Sequence, residues 1–500
     1  MRYLVGAGGL ALALLAVITT RGEGLWIGLG LLGLIVMFYY WPAIGASSDN
    51  GEVLRGTEFV PTAILKQKYN EHNPHQIFIG EIPIPRHLET YHFAIVGSIG
   101  TGKTLLMHHV MDVLSRRGTK AIIHDPKPDY FQAFFDPKKD KLFNPMDARS
   151  MQWNIFAEIE TLYDIENICA SIIPENPKDP HWSNAPRDVL AGAIQHLVEI
   201  GQQSNLALWD LAADAERLVE TVRNKKLPGY QHLMNERHAN DVISALAEHT
   251  RSLRYLATMD VSVEKSFSFK KYFSGPDSRF IFLTNFKKVQ KALSPLLTLF
   301  IDVAGRHVLS EDDINEAQIF FILDEFKDLK RLDSLSDLIV QGRSKGASVW
   351  VGAQDVHQVD EVYGADRRAT LLSSLSSHVI FRVGDPNTAK YFSQAIGEQQ
   401  RRRWHQSTGS HSQGLQGGGS SETTSEHITT EAAVMASEIS GMEQRHCIVR
   451  LMDTAPGRTY IPDGTWPENH AGFVENPVFR LRPKEPGEGL SGDSAGAASF

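Results

Sequence analysis

The chain has 500 residues, 42% hydrophobic and 22% charged, with a formal net charge of −9 and a pI near 6.1. That profile excludes a disordered chain and implies about two to four domains. Two cysteines, Cys169 and Cys447, and no CxxC exclude a disulfide scaffold and a cysteine zinc fold. A mean hydropathy of −0.22 excludes a polytopic transporter, and the acidic balance carries no bulk sign of a nucleic-acid binder.

The first element departs from that average. Tyr3 to Thr20 carry no charge; Arg21 and Glu23 interrupt, and Gly24 to Ser48 are again uncharged. Each run approaches the ~20 residues that cross a ~30 Å hydrocarbon layer. Phe38, Tyr39, Tyr40 and Trp41 cluster at one end of the second run like an interfacial belt, and Pro42 stops it. We expect a transmembrane hairpin over 1–45, with helices at about 3–20 and 25–42. A cleaved signal peptide, the alternative, predicts a single apolar run.

Next comes an apolar strand, His92 to Val96, running into Gly97-Ser98-Ile99-Gly100-Thr101-Gly102-Lys103-Thr104 and a helical segment. GxxxxGKT between strand and helix is a phosphate loop. Its backbone N–H groups close around the phosphates, Lys103 reaches the β- and γ-phosphates, and Thr104 ligates Mg²⁺. ATP and Mg²⁺ are the expected cofactors. Lys120 to His124 is a further strand, ending in Asp125-Pro126.

From about 178 to 265 the chain is rich in helix formers. Helical spacing runs over Arg187–Ile200, Leu206–Asn224 and Asn235–Met259. This predicts an all-α insertion splitting the ATPase core into 46–177 and 266–477. Its His232, His238 and His249 lack paired metal spacing.

The second half of the core opens with Arg279–Leu283 and continues with Gln318–Leu323, whose unbroken apolar run marks a strand buried on both faces. It ends in Asp324-Glu325. Asp324 is the expected metal-side acid, and Glu325 is placed to polarise the attacking water. Ser348–Gly352 is a third strand, with Gln354 just past its end to orient that water. His378–Phe381 is a fourth, ending in Arg382. Strands alternating with helices predict a doubly wound, mostly parallel α/β sheet with ligands at its carboxyl edge.

Glu398 to Glu426 reads as a loop, rich in Ser, Gly and Gln. Arg401-Arg402-Arg403 beside Trp404 is either a site for a phosphate backbone and a stacked base or a solvated charge run. Lys270-Lys271 and Lys287-Lys288 are further basic pairs. Cys447–Met452 is the last strand, and 478–500 reads as a disordered tail.

Several motifs, in order, resemble the type IV secretion coupling proteins, the TraD/TraG group of conjugative DNA-transfer ATPases. They are Ile79–Pro85 with His92-Phe93; Asp125-Pro126-Lys127; Phe143-Asn144-Pro145-Met146-Asp147-Ala148-Arg149 with Trp153-Asn154; Trp182; Leu323–Phe326; Gln341–Gly346; and Gly384–Tyr391. Pro128 departs from the glycine the family carries there. The resemblance implies a P-loop RecA-like core and an inner-membrane homo-hexamer with its ATPase body in the cytoplasm. It also implies partners: single-stranded DNA with its relaxase, and the proteins of a type IV secretion channel. In such a ring a neighbour's arginine stabilises transition-state charge, and Arg343 and Arg382 are the candidates. Two other functions compete: a membrane-anchored DNA translocase of the FtsK kind, and a non-hydrolytic ATP-binding scaffold.

Overall fold

The computed structural model describes residues 52–175, 181–275, 279–329, 331–411, 419–452 and 454–480. The expected membrane hairpin and the tail beyond 480 lie outside them. The chain divides into two compact units. One contains residues 52–56 and 398–432; the other contains 57–397 and the chain from 433.

The first unit is a three-stranded antiparallel sheet of β1 (Glu52–Gly56), β11 (Glu398–His411) and β12 (Gly419–Ala432), in the order β1-β11-β12. This corrects the expectation of a loop over 398–426. Few of its described side chains are buried, but pairing runs without a slip from Glu398↔Ala432 to His411↔Gly419, so backbone bonds hold it. Thr423, Thr424, Ile428, Thr429 and Thr430 supply the β-branched residues that favour such a ribbon. The arginine triplet is neutralised by its neighbours. Arg401 and Arg403 each reach Glu431 at 3.0 Å, and Arg402 pairs with Glu426 at 2.7 Å and Glu52 at 3.3 Å.

The second unit is built on a nine-stranded sheet. Its strands are β4 (Phe93–Val96), β5 (Lys120–Asp125), β6 (Lys141–Leu142), β7 (Phe280–Thr284), β8 (Ile314–Leu323), β9 (Lys345–Ala353), β10 (Ser377–Ile380), β13 (His446–Arg450) and β14 (Gly457–Tyr460). The spatial order is β14-β13-β10-β4-β9-β8-β5-β7-β6. Every pairing from β10 to β6 is parallel; β13 and β14 close one edge antiparallel. A small hairpin, β2 (Ile77–Ile79) with β3 (Ile82–Ile84), precedes β4.

Alternate residues of the central strands enter two separate cores, as the period of two requires. Phe93, Ile95, Ile123, Phe320, Ile322 and Trp350 face the P-loop helix Lys103–Arg117 and its Leu106, Met107, Val110 and Leu114. Val96, Ile122, Phe321, Leu323 and Val351 face the other layer, which includes the helices Gln290–Ser310, Asp333–Gln341 and Pro386–Ile396. Helices on both faces are what a parallel sheet needs to exclude water.

Between β6 and β7 the described chain is mostly helical, with Leu162–Ile172, His181–Glu199, Asn205–Ala213, Ala215–Asn224, Glu236–Thr250, Leu253–Ala257 and Phe269–Ser274. Two of the long helices predicted there are divided. Asp214 accepts from Arg217 N at 3.1 Å and caps a new helix inside 206–224, and the helix from Glu236 ends at Thr250. Gln290–Ser310 is long and apolar enough to cross a membrane by composition, yet it lies mostly buried within this body.

Candidate nucleotide and metal site

The site lies at the carboxyl edge of the sheet, where β4, β9, β8 and β5 end side by side. Residues 97–102 form the turn from β4 into its helix. Gly97 N donates to Ala353 O at 3.2 Å and Ser98 N to Arg382 O at 2.8 Å, which ties the loop to the ends of β9 and β10. Ser98 Oγ accepts from Gly384 N at 2.9 Å, and Thr101 Oγ1 donates to Ser98 O at 2.8 Å. Gly102 enters the helix at φ 117°, a conformation that favours glycine. Ile99 is exposed at the crest of the loop.

Lys103 begins the helix, and its ammonium donates to Gly97 O and Ser98 O. Burial lowers its pKa, while the charges of Asp324 and Glu325 oppose that shift. A cavity of about 360 Å³ opens here, lined by Gly100, Gly102, Lys103, Thr104, Asp324 and Glu325. A larger hollow of about 1020 Å³ around Thr62, Glu438 and Tyr460 contains none of these groups.

Asp324 follows β8 and is 8% exposed. Its Oδ2 accepts from the Tyr130 hydroxyl at 2.8 Å and its Oδ1 from Glu325 N at 3.0 Å. The buried His124 imidazole bonds the Asp324 carbonyl through Nδ1 at 2.7 Å; burial keeps this ring's pKa below its ordinary value. Space for the carboxylate depends on the neighbouring strand, because a Cβ at Gly352 would lie 2.7 Å from Asp324 Oδ1. Glu325 adopts φ 48°, which turns the chain sharply out of the strand. Its oxygens accept from Gln354 Nε2 at 3.2 and 3.0 Å, and Lys127 and Lys327 each stand 4.0 Å away. Gln354 is therefore delivered by the strand lying between the P-loop strand and the Asp324 strand.

Thus Lys103, Thr104, Asp324 and Glu325 line one cavity, and Gln354 reaches it through Glu325. The two arginines are not part of that group. Arg382 touches the loop through its carbonyl, with its side chain exposed. Arg343 precedes β9, at the opposite end of that strand from Gln354, with its guanidinium 3.8 Å from the centroid of the Tyr91 ring.

Sequence reasoning gave no role at this site to three contributors. Tyr130 is buried, and burial beside Asp324 raises its pKa well above the ordinary value. Asp125, fully buried, accepts from Phe131 N at 2.8 Å and holds the turn carrying Tyr130. Burial pushes its carboxyl up to about 8. Arg445 forms a wall: its N donates to Thr101 O at 3.0 Å and its guanidinium pairs with Asp463. Two of them had an available signal: Asp125 ends a predicted strand and opens the Asp125-Pro126-Lys127 motif, and Tyr130 lies just past that motif. At Pro128 the backbone takes φ 30° and ψ 29°, so the turn keeps the left-handed shape a glycine adopts freely.

Comparison with known proteins places this arrangement. The sequence model described as the type IV secretion-system coupling protein DNA-binding domain matches residues 76–459. Coupling protein TraD of Escherichia coli (strain K12) is 23% identical over 421 residues, covering 82% of this chain and 58% of TraD, so the chain spans less than two thirds of that relative. Bacterial conjugative coupling protein TrwBdeltaN70, in an unbound form, superimposes with a TM-score of 0.76 at 25% identity, over 85% of this chain and 96% of that one. Plasmid coupling protein TrwB in complex with ADP and Mg²⁺ gives 0.74 at 25% identity, over 85% and 97%.

Proposed function

The chain belongs to the type IV secretion-system coupling proteins, and on that premise we propose that it is an ATP-driven motor for conjugative DNA transfer. In this reading it recruits a relaxase–DNA substrate and moves single-stranded DNA into a type IV secretion channel. A membrane hairpin over 1–45 anchors it to the inner membrane, with the ATPase body on the cytoplasmic side. The body is a RecA-like core, 46–177 with 266–477, into which the helices of 178–265 are inserted. It works as a homo-hexameric ring.

The observation that carries the reading is the grouping of Lys103, Asp324 and the Gln354-held Glu325 around one cavity. Residues 97–104 cradle the phosphates of ATP. Thr104 and Asp324 hold Mg²⁺, and the donor set fits that ion: one hydroxyl and one carboxylate, hard oxygen ligands that leave positions for water and substrate phosphate. When bound, the ion neutralises charge developing on the phosphate oxygens. Lys103 stabilises the same charge. Glu325 takes a proton from the attacking water, and Gln354 fixes the carboxylate for that task. Arg343 and Arg382, both exposed, are the residues we assign to a neighbour's site in the ring.

The test is ATP hydrolysis by the full-length chain in detergent, titrated with single-stranded DNA, alongside DNA transfer in cells. Stimulation by DNA and loss of both activities in Lys103→Ala are expected. Wild-type transfer by Lys103→Ala would overturn the motor reading and leave an ATP-binding scaffold.

A further inference from the structure

The chain is acidic overall, so its unneutralised cations are informative. The arginine triplet of β11 is ion-paired, Lys270 pairs with Glu160 at 2.6 Å, and Lys271 bonds the Glu264 carbonyl at 2.9 Å. A different group lines a cavity of about 230 Å³ where the inserted helices meet the helix Gln290–Ser310. Arg251 and Arg254 enter it from around the start of Leu253–Ala257, and Lys291 from the first turn of Gln290–Ser310. All three are exposed. Glu248 is the one carboxylate in the described lining. Arg251 and Lys291 form no ion pair among the described residues, and Lys287 and Lys288, one turn before Lys291, are exposed without one too. That loop leaves the carboxyl end of β7, the sheet edge that also carries the phosphate loop.

We infer that this cavity binds the phosphate backbone of single-stranded nucleic acid, with Arg251, Arg254 and Lys291 as its contacts. The cations come from two layers and converge on one hollow, with exposed lysines leading to it. Such an arrangement positions a chain of phosphates without reading bases. Arg254 also stacks on Tyr255, with its guanidinium 4.6 Å from the ring centroid, which holds that charge at the mouth. The inference rests on the DNA-transfer reading above.

The test is binding of a fluorescein-labelled oligothymidylate to the full-length chain in detergent, followed by anisotropy across a salt series. Each single-strand phosphate contact contributes ~0.7 to the slope of log K against log salt. The double variant R251A/K291A is expected to lower that slope by ~1.4 and weaken binding roughly 25-fold at about 0.1 M salt. A control, K66A/K68A, removes two exposed lysines of another helix and is expected to match wild type. Unchanged nucleotide binding by both variants shows that they fold. Equal slopes for wild type and R251A/K291A overturn the site while the DNA reading stands, and so does an equal loss in the control. A wild-type chain that binds no oligothymidylate overturns the DNA reading and this site with it.

Discussion

Replacing Tyr130 with phenylalanine removes one oxygen from the proposed metal site and leaves the ring. The hydroxyl donates to Asp324 Oδ2 at 2.8 Å, so it touches one of the two residues proposed to hold Mg²⁺. The ring itself, 4.8 Å from that of His108, stays in place. A hydrogen bond to a charged group is worth ~1.5–3 kcal/mol, and partners that orient metal ligands are worth roughly 10- to 100-fold in metal affinity. Tyr130→Phe is therefore expected to raise the half-saturating Mg²⁺ for ATP hydrolysis by about 10- to 100-fold. Binding of a fluorescent ATP analogue in EDTA is expected to stay at the wild-type level, because Gly97 to Lys103 are untouched. Wild-type Mg²⁺ dependence would refute the orienting role. So would parallel loss of metal-free binding, which would mean that the ring supports the loop.

Glu325→Gln is expected to bind ATP normally and hydrolyse it ~10²–10⁴-fold more slowly in single turnover, the range for loss of a general base. Asp125 carries a pKa raised to about 8 by burial, so the folded chain keeps a proton that the unfolded chain releases near pH 4. Wild-type stability should thus fall as pH rises from roughly 4 to about 8. Asp125→Asn should flatten that fall in thermal melts and gain most near the alkaline end. Asp140, 2% exposed, accepts from Arg279 at 2.7 and 3.0 Å and from Phe280 N at 3.0 Å. Asp140→Ala leaves a half-buried guanidinium without its carboxylate and should cost up to ~3 kcal/mol in denaturant unfolding.

The parallel core was legible because burial on both faces writes itself as unbroken apolar runs. Gln318–Leu323 and Ser348–Gly352 both lie inside observed strands, β8 and β9, and the polar residues that end those runs fall at one edge. Elements held by other forces left less trace. The ribbon of β11 and β12 depends on its backbone ladder, so its composition read as loop. β2 and β3 are three residues each and include Pro83, which argues against a strand. Gln290–Ser310 hid for another reason: a helix buried nearly all round has no polar face to set a period. Tyr130 lay beside a motif, yet its role was not legible, because its partner, Asp324, is brought near only by the adjacency of β5 and β8.

That buried helix also connects the two proposed sites. Lys291 lies in its first turn. Ser294, less than one turn further on, donates to Asp328 O at 2.8 Å, at the end of the turn that Glu325 opens. Asp302 accepts from Ser334 N at 2.8 Å, so the same helix also holds the chain beyond that turn. On the other side, Gln354 holds the Glu325 carboxylate from β9, and Phe326 stacks on Tyr363 with centroids 5.5 Å apart. The turn at Glu325 is therefore braced between a helix that begins in the cationic cavity and a strand that ends at the phosphate loop. A phosphate that draws Lys291 inward pulls on one brace only. The contact expected to respond is then Glu325 to Gln354, at 3.0 Å. On the proposed roles, DNA in the cavity is expected to change the rate of ATP hydrolysis and to leave nucleotide affinity, set by the Gly97–Thr104 cradle anchored to β9 and β10, at its DNA-free value.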